Sequence, residues 1–130
     1  MCLEKLTNDK PCRYGYVVVR NIKHLPYWYD HIPIIQGTIW AGLYTPQFYR
    51  QGKRYIAKNM PQAKDPITGY RPGFHSFHTL FDARVYKWFR PYPEHYSIVQ
   101  VENDDFIAVG EFHGSIVTVA GKRKILREVF

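Results

Sequence analysis

The sequence predicts an α+β domain: a mainly antiparallel sheet of about six strands with one principal helix over about residues 80–89. Three observations carry that expectation. Short β-rich runs recur along the chain, a capped amphipathic segment stands alone among them, and the C-terminal third is punctuated by turn residues.

The helix is the sharpest element. In Thr79-Leu80-Phe81-Asp82, Thr79 is placed to accept the Asp82 N–H, and Asp82 to reach back to Thr79. Phe81, Val85, Trp88 and Phe89 share one helical face, with Arg84 and Lys87 opposite. That pattern predicts a helix packed on the sheet through its aromatic face. Arg90-Pro91 ends it, because the residue before proline avoids helical backbone.

Gly73-Phe74-His75-Ser76-Phe77-His78 leads straight into this cap. Alternation sends Phe74, Ser76 and His78 to one face of a short strand, and His75, Phe77 and Thr79 to the other. Gly73 follows Pro72 and is expected to supply an unusual backbone angle. Gly73, His75, His78, Thr79 and Asp82 thus form a structural motif.

Other strands are expected over 14–20, where Val17-Val18-Val19 suits a strand covered on both faces, and over 37–44. Beyond the helix, strands are expected over 97–102, 106–112, 115–119 and 124–129. Asn103-Asp104-Asp105, His113-Gly114 and Ala120-Gly121-Lys122 separate them.

At 130 residues the chain makes one domain, residues 1–130. The same reading gives it a mobile arm over 1–12 and a long basic loop over 45–72. No run approaches the roughly 20 apolar residues of a membrane span. The first residues lack the basic-then-apolar order of a signal peptide. Cys2 and Cys12 are the only cysteines, which fits free thiols in a reducing cytoplasm, although a disulfide between them is open.

The net charge is +7. Residues 45–72 carry Arg50, Lys53, Arg54, Lys58, Lys64 and Arg71 against Asp65 alone. Lys122-Arg123-Lys124 and Arg127 form a second cluster, with Glu102, Asp104, Asp105 and Glu111 between the two. This separation predicts an electrostatically two-sided molecule. Interleaved with aromatics, Tyr49, Arg50, Lys53, Arg54, Tyr55 and Lys58 are the candidate partner-binding residues. They combine phosphate neutralisation with stacking surfaces. The expected partner is acidic: a protein or nucleic acid, and not a membrane. The sequence sets no oligomeric state.

Catalytic and metal chemistry find less support. His75 and His78 point to opposite faces of a strand, and neither Cys-x-x-Cys nor His-Glu-x-x-His accompanies them, so no metal site is expected. Glycine-framed serine and phosphate-cradling motifs are absent. The reading is a binding module rather than an enzyme, without a cofactor.

Gly73-Phe74-His75, Leu80, Asp82-Ala83, Ile98-Val99-Gln100-Val101 and the basic C-terminal strand resemble small uncharacterised phage and bacterial accessory proteins. The resemblance covers roughly residues 70–130. It implies a phage-related accessory protein working in the cytoplasm, that of the host cell if phage-encoded. The same strand–helix element with Tyr86 also resembles half of an ADP-ribosyltransferase-like fold. That second resemblance implies an alternative function as an NAD-using enzyme. In it, Arg20 grips the pyrophosphate, Ser76 orients the arginine or ribose, and Glu111 stabilises oxocarbenium-like charge. Val109 stands where that family has a second acid two residues before the glutamate.

Overall fold

A computed structural model describes residues 3–22, 40–42, 48–57 and 73–130. Among them are eight strands: β1 (Lys5–Leu6), β2 (Tyr14–Asn21), β3 (Trp40–Ala41), β4 (Phe48–Tyr49), β5 (Arg54–Ile56), β6 (Phe74–Phe77), β7 (Tyr96–Phe112) and β8 (Ser115–Val129). One helix, α1 (Leu80–Trp88), follows β6. Every pairing is antiparallel. The α+β class and the single principal helix are as the sequence predicts. The strand count rises to eight because β1, β3 and β4 are two-residue pieces.

The frame is the β7–β8 hairpin. His113 and Gly114 form its two-residue turn, both with positive φ (48° and 80°). That is the backbone which matches the twist of paired strands. A straight β7 of 17 residues would run about 55 Å at 3.3 Å per residue. A domain of this size has a radius of gyration near 14 Å, so the hairpin must bend. The ladder slips between Gln100 and Val101 and between Phe106 and Ala108. Just before the second slip Asp105 takes φ 56°, a conformation that aspartate adopts more readily than most residues. Gly121 faces it across the ladder, where a Cβ would lie 2.1 Å from Asp105 Oδ2. The expected breaks at 103–105 and 120–122 are therefore not turns. They are the two sides of one bend in continuous strands.

The bend lets the pairings close on themselves. β7 pairs β8, β8 pairs β6, β6 meets β2 at Tyr16 and Phe77, and β2 returns to β7 over Tyr14–Arg20. Closure removes the exposed edges of the central strands. Val19, Val99, Val101, Ile125 and Phe74 pack on one face with Trp40, Tyr49 and Tyr55. Val18, Ile98, Val117, Val119 and Phe77 pack on the other with Leu3 and Ala83. The valine run in β2 is buried on both sides, as its sequence suggests.

Four expectations change. The arm is not loose over its described part: Leu3 is buried, and β1 pairs with Gly110 and Glu111 of β7. Within 45–72, residues 48–57 form β4, a turn and β5; residues 45–47 and 58–72 lie outside the described residues. At Gly73 the described structure shows a demand for space. The glycine is needed for close approach, since a Cβ there would lie 2.7 Å from Ile107 Cδ1 and 2.9 Å from the Ala120 carbonyl.

The fourth concerns α1. The Thr79 cap forms as expected, its Oγ1 accepting from Asp82 N at 3.1 Å. The helix is turned the other way. Phe81, Trp88 and Phe89 are 72%, 76% and 81% exposed, and Val85 is exposed too. The sheet receives Ala83, fully buried, with Leu80 and Tyr86. Small Ala83 allows close backbone approach, and Tyr86 fits between Phe77 and Phe112 at centroid distances of 5.4 and 5.8 Å. Only two residues separate β6 from α1, so the packing of these groups fixes the helix's rotation.

Gly73→Ala is expected to lower stability by about 1–3 kcal/mol through overpacking. Denaturant titration would check this; an unchanged midpoint would show that the Ile107–Val119 wall yields.

Candidate functional site

The strand–helix junction is a buried polar cluster. His78 Nε2 lies 2.6 Å from Thr118 Oγ1, which also accepts the Cys12 N–H at 3.0 Å. Thr118 has one O–H donor and two acceptor lone pairs, so its hydroxyl can serve Cys12 and His78 together. Burial pushes the His78 pKa down, partly offset by Asp9 and Asp82. Asn103 Nδ2 donates to the Cys12 carbonyl (3.1 Å) and to Ser76 Oγ (2.8 Å). Cys12 is a free thiol, tied to the sheet by Thr118 and Asn103 rather than carried on a loose arm. Ser76, Asn103 and Thr118 are all buried. The cluster ties the N-terminal segment to β6, β7 and β8 through Cys12, Ser76, His78, Asn103 and Thr118.

Arg20, Ser76 and Glu111 engage three different partners. Arg20 Nη2 donates to Tyr96 Oη at 3.1 Å, with its guanidinium 5.1 Å from the Tyr96 ring. Ser76 accepts from Asn103. Glu111 pairs with Lys5 at 3.0 Å. Arg20 faces Tyr96, the first residue of β7, while Glu111 is next to last on that strand. These contacts hold the three at separate places rather than in one cleft. Among the described residues no group of three His, Cys, Asp or Glu side chains is placed to hold a metal ion.

The candidate binding residues divide. Tyr49 and Tyr55 are buried, their rings edge-to-face at 5.0 Å. Tyr55 Oη accepts from the Arg50 backbone N–H at 3.0 Å. Neither can offer a stacking face to a partner, which corrects that expectation: their area is spent in the core. Lys53 and Arg54 are exposed, and Arg50 is half-buried. Lys58 lies outside the described residues.

The register of β5 on β8 sets Arg54 opposite Lys124 and Ile56 opposite Lys122. On the other side of β8, Lys124 faces Glu102 and Lys122 faces Asp104; Glu102 in turn faces Tyr14 on β2. One row thus crosses four strands: Tyr14, Glu102, Lys124, Arg54. Arg13 adds a further cation, 3.9 Å from Glu102 and 5.5 Å from the Tyr14 ring. Arg54 reaches Glu102 at 3.7 Å, and Arg127 lies near the row, bonded to Gln100 at 3.3 Å. The two basic clusters of the sequence therefore meet, and the acids stand among them. The molecule is not divided into acidic and basic sides at this place. Tyr14, an exposed aromatic in the row, escaped the sequence reading because nothing local marks it; only cross-strand register brings it to the cations.

Arg123, between Lys122 and Lys124, points inward and is 4% exposed. Its guanidinium lies 4.8 Å from the Tyr49 ring and 4.5 Å from Phe74, and Nη1 reaches the His75 carbonyl at 3.5 Å. No carboxylate pairs with it among the described residues, and Nε lacks a hydrogen-bond partner. Aromatic faces hold this cation.

Comparison of the chain with protein-family models, curated proteins and solved structures found no match. No helix among the described residues is long and apolar enough to cross a membrane.

Two outcomes follow from these groups. Burial lowers the His78 pKa from the 6.5 of a free side chain. The unfolded chain thus binds the proton more readily, so its contribution to stability is complete above about pH 6.5 and is lost as pH falls below it. Thermal melts from pH 8 to 5 should show this loss, flattened in His78→Gln. Removing a buried cation without a carboxylate partner should cost nothing if its volume is kept. Arg123→Met is expected to match or exceed the parent in denaturant stability, while Arg123→Ala loses about 2–4 kcal/mol through the cavity.

Proposed function

We propose that this protein is a small accessory binding module that engages nucleic acid through the cationic row on β2, β7, β8 and β5. The supporting observation is the β5–β8 register, which aligns Arg54 with Lys124. Like charges directly opposite each other weaken a sheet. Glu102 relieves this only in part, as it also meets Arg13. A phosphate backbone lying along the row would neutralise the surplus cations, and Tyr14 offers a stacking face beside them. The residues that carry the reading are Arg13, Tyr14, Arg54, Lys122, Lys124 and Arg127. An acidic protein would meet the same cations without needing Tyr14.

Fluorescence anisotropy with single-stranded and duplex oligonucleotides across a salt series tests the reading. About four phosphate contacts predict a log–log slope near −3 for single strands. Lys122→Gln with Lys124→Gln should make the slope shallower by roughly one to two, and Tyr14→Ala should weaken single-strand binding without changing it. No binding at low salt would remove nucleic acid as the partner and leave an acidic protein.

A further inference from the structure

A carboxylate inside a phosphate-binding row weakens binding to every sequence, yet Glu102 stands there, directly opposite Tyr14. We propose that Glu102 reads the base stacked on Tyr14 and makes the surface selective for unpaired guanine. This inference rests on the row being a nucleic-acid surface and adds which base that surface takes.

Chemistry is the first argument. Unpaired bases are read on their Watson–Crick edges. Guanine alone among the standard bases presents two adjacent donors there, N1–H and the N2 amino group. A carboxylate accepts both in parallel, as it accepts the fork of a guanidinium. Adenine, cytosine and thymine each set an acceptor beside their donor, and that acceptor meets a carboxylate oxygen with no proton between them.

Geometry is the second. Residues directly opposite on antiparallel strands hold their Cβ atoms about 4.5–5.5 Å apart. The edge of a base lying on the exposed Tyr14 ring therefore falls within the span of a glutamate side chain. Each oxygen of Glu102 has its own cation: Oε2 is 3.9 Å from Arg13 Nη2, and Oε1 is 3.7 Å from Arg54 Nη2. Both separations exceed the roughly 2.7–3.2 Å of an N–H···O hydrogen bond. The two cations thus balance the carboxylate between them and leave its lone pairs to an incoming donor.

Rigidity is the third. The backbone under the pair is pinned from its inner side. The Asn103 N–H donates to the Arg13 carbonyl at 2.6 Å, and Asn103 Nδ2 donates to Ser76 Oγ at 2.8 Å. Gly15 lies so close to Ser76 that a Cβ would stand 2.5 Å from its Oγ. Tyr14 and Glu102 are therefore set in place before a ligand arrives, which lowers the ordering cost of binding.

Glu102 also faces Lys124 and relieves its repulsion with Arg54. That role needs only negative charge, and it gives a different result when the charge is removed.

Fluorescence anisotropy of the full chain with short thymidine oligonucleotides carrying one central guanine, hypoxanthine or adenine is the experiment. The guanine oligonucleotide should bind about tenfold tighter than the adenine or all-thymidine ones. Hypoxanthine lacks the N2 amino group and should lose most of that gain. The ratio should hold across a salt series while overall affinity falls, because a base contact releases no phosphate counterions. Glu102→Gln should remove the guanine preference and leave binding of the all-thymidine strand equal or tighter. Charge relief alone would instead raise affinity for every oligonucleotide by the same factor. Equal binding of the bases by the parent chain, hypoxanthine as good as guanine, or a guanine preference that survives in Glu102→Gln would overturn the proposal and leave the row as a nucleic-acid surface. Absence of binding to every oligonucleotide at low salt would overturn both.

Discussion

The bend shared by Asp105 and Gly121 is the constraint on which the rest of the structure depends. A straight β7–β8 hairpin could pair with neighbours on its two outer edges but could not bring them together. Once bent, its distal half takes β1 and β6, and its proximal half takes β2 and β5. The link from β6 to β2 then closes through Tyr16 and Phe77 alone. The chemistry of the bend is small: one acidic residue at positive φ and one missing Cβ. It also sets function-bearing geometry. β8 changes partner around Gly121, so Lys122 and Lys124 project to the outside while Arg123 turns in between Tyr49 and Phe74.

What was legible in the sequence divides along the range of the interactions involved. The Thr79 cap, the His113-Gly114 turn and the valine run of β2 are decided by residues within a few positions of each other. Each appears where local chemistry puts it. The rotation of α1 is not local. Two apolar stripes compete on that helix: the large one through Phe81, Val85, Trp88 and Phe89, and the small one through Leu80, Ala83 and Tyr86. Periodicity favours the larger stripe because it counts apolar bulk. The sheet selects the smaller because Ala83 lets the backbone approach and Tyr86 meets two aromatic rings already in place. The Asn103–Asp105 and Ala120–Lys122 segments mislead for a related reason. Turn residues mark a departure from regular strand, and a bulged bend uses the same residues as a chain reversal.

The candidate site shows the same division. Arg54 and Lys124 are 70 residues apart, and their alignment exists only through β-sheet register. Charge counting found the cations but assigned them the wrong aromatics. Tyr49 and Tyr55, adjacent in sequence to Arg50 and Arg54, go to the core because alternation on β4 and β5 turns them inward. Tyr14, distant in sequence, is brought to the cations across β7. Cys12 and Asn103 follow the same logic at the junction: 91 residues apart, they meet because β7 passes the end of the N-terminal segment.

The cationic row and the helix share their supports. Val18 and Ile98 lie in the second core cluster with Ala83 of α1. Tyr14 and Glu102 are four residues further along the same two strands, and so on the same face by the period of two. The β2–β7 register that assembles the row's tyrosine and carboxylate is therefore the same register that builds the bed on which Ala83 and Tyr86 fix the rotation of the helix. A shift of one residue in that pairing would turn both to the wrong face at once.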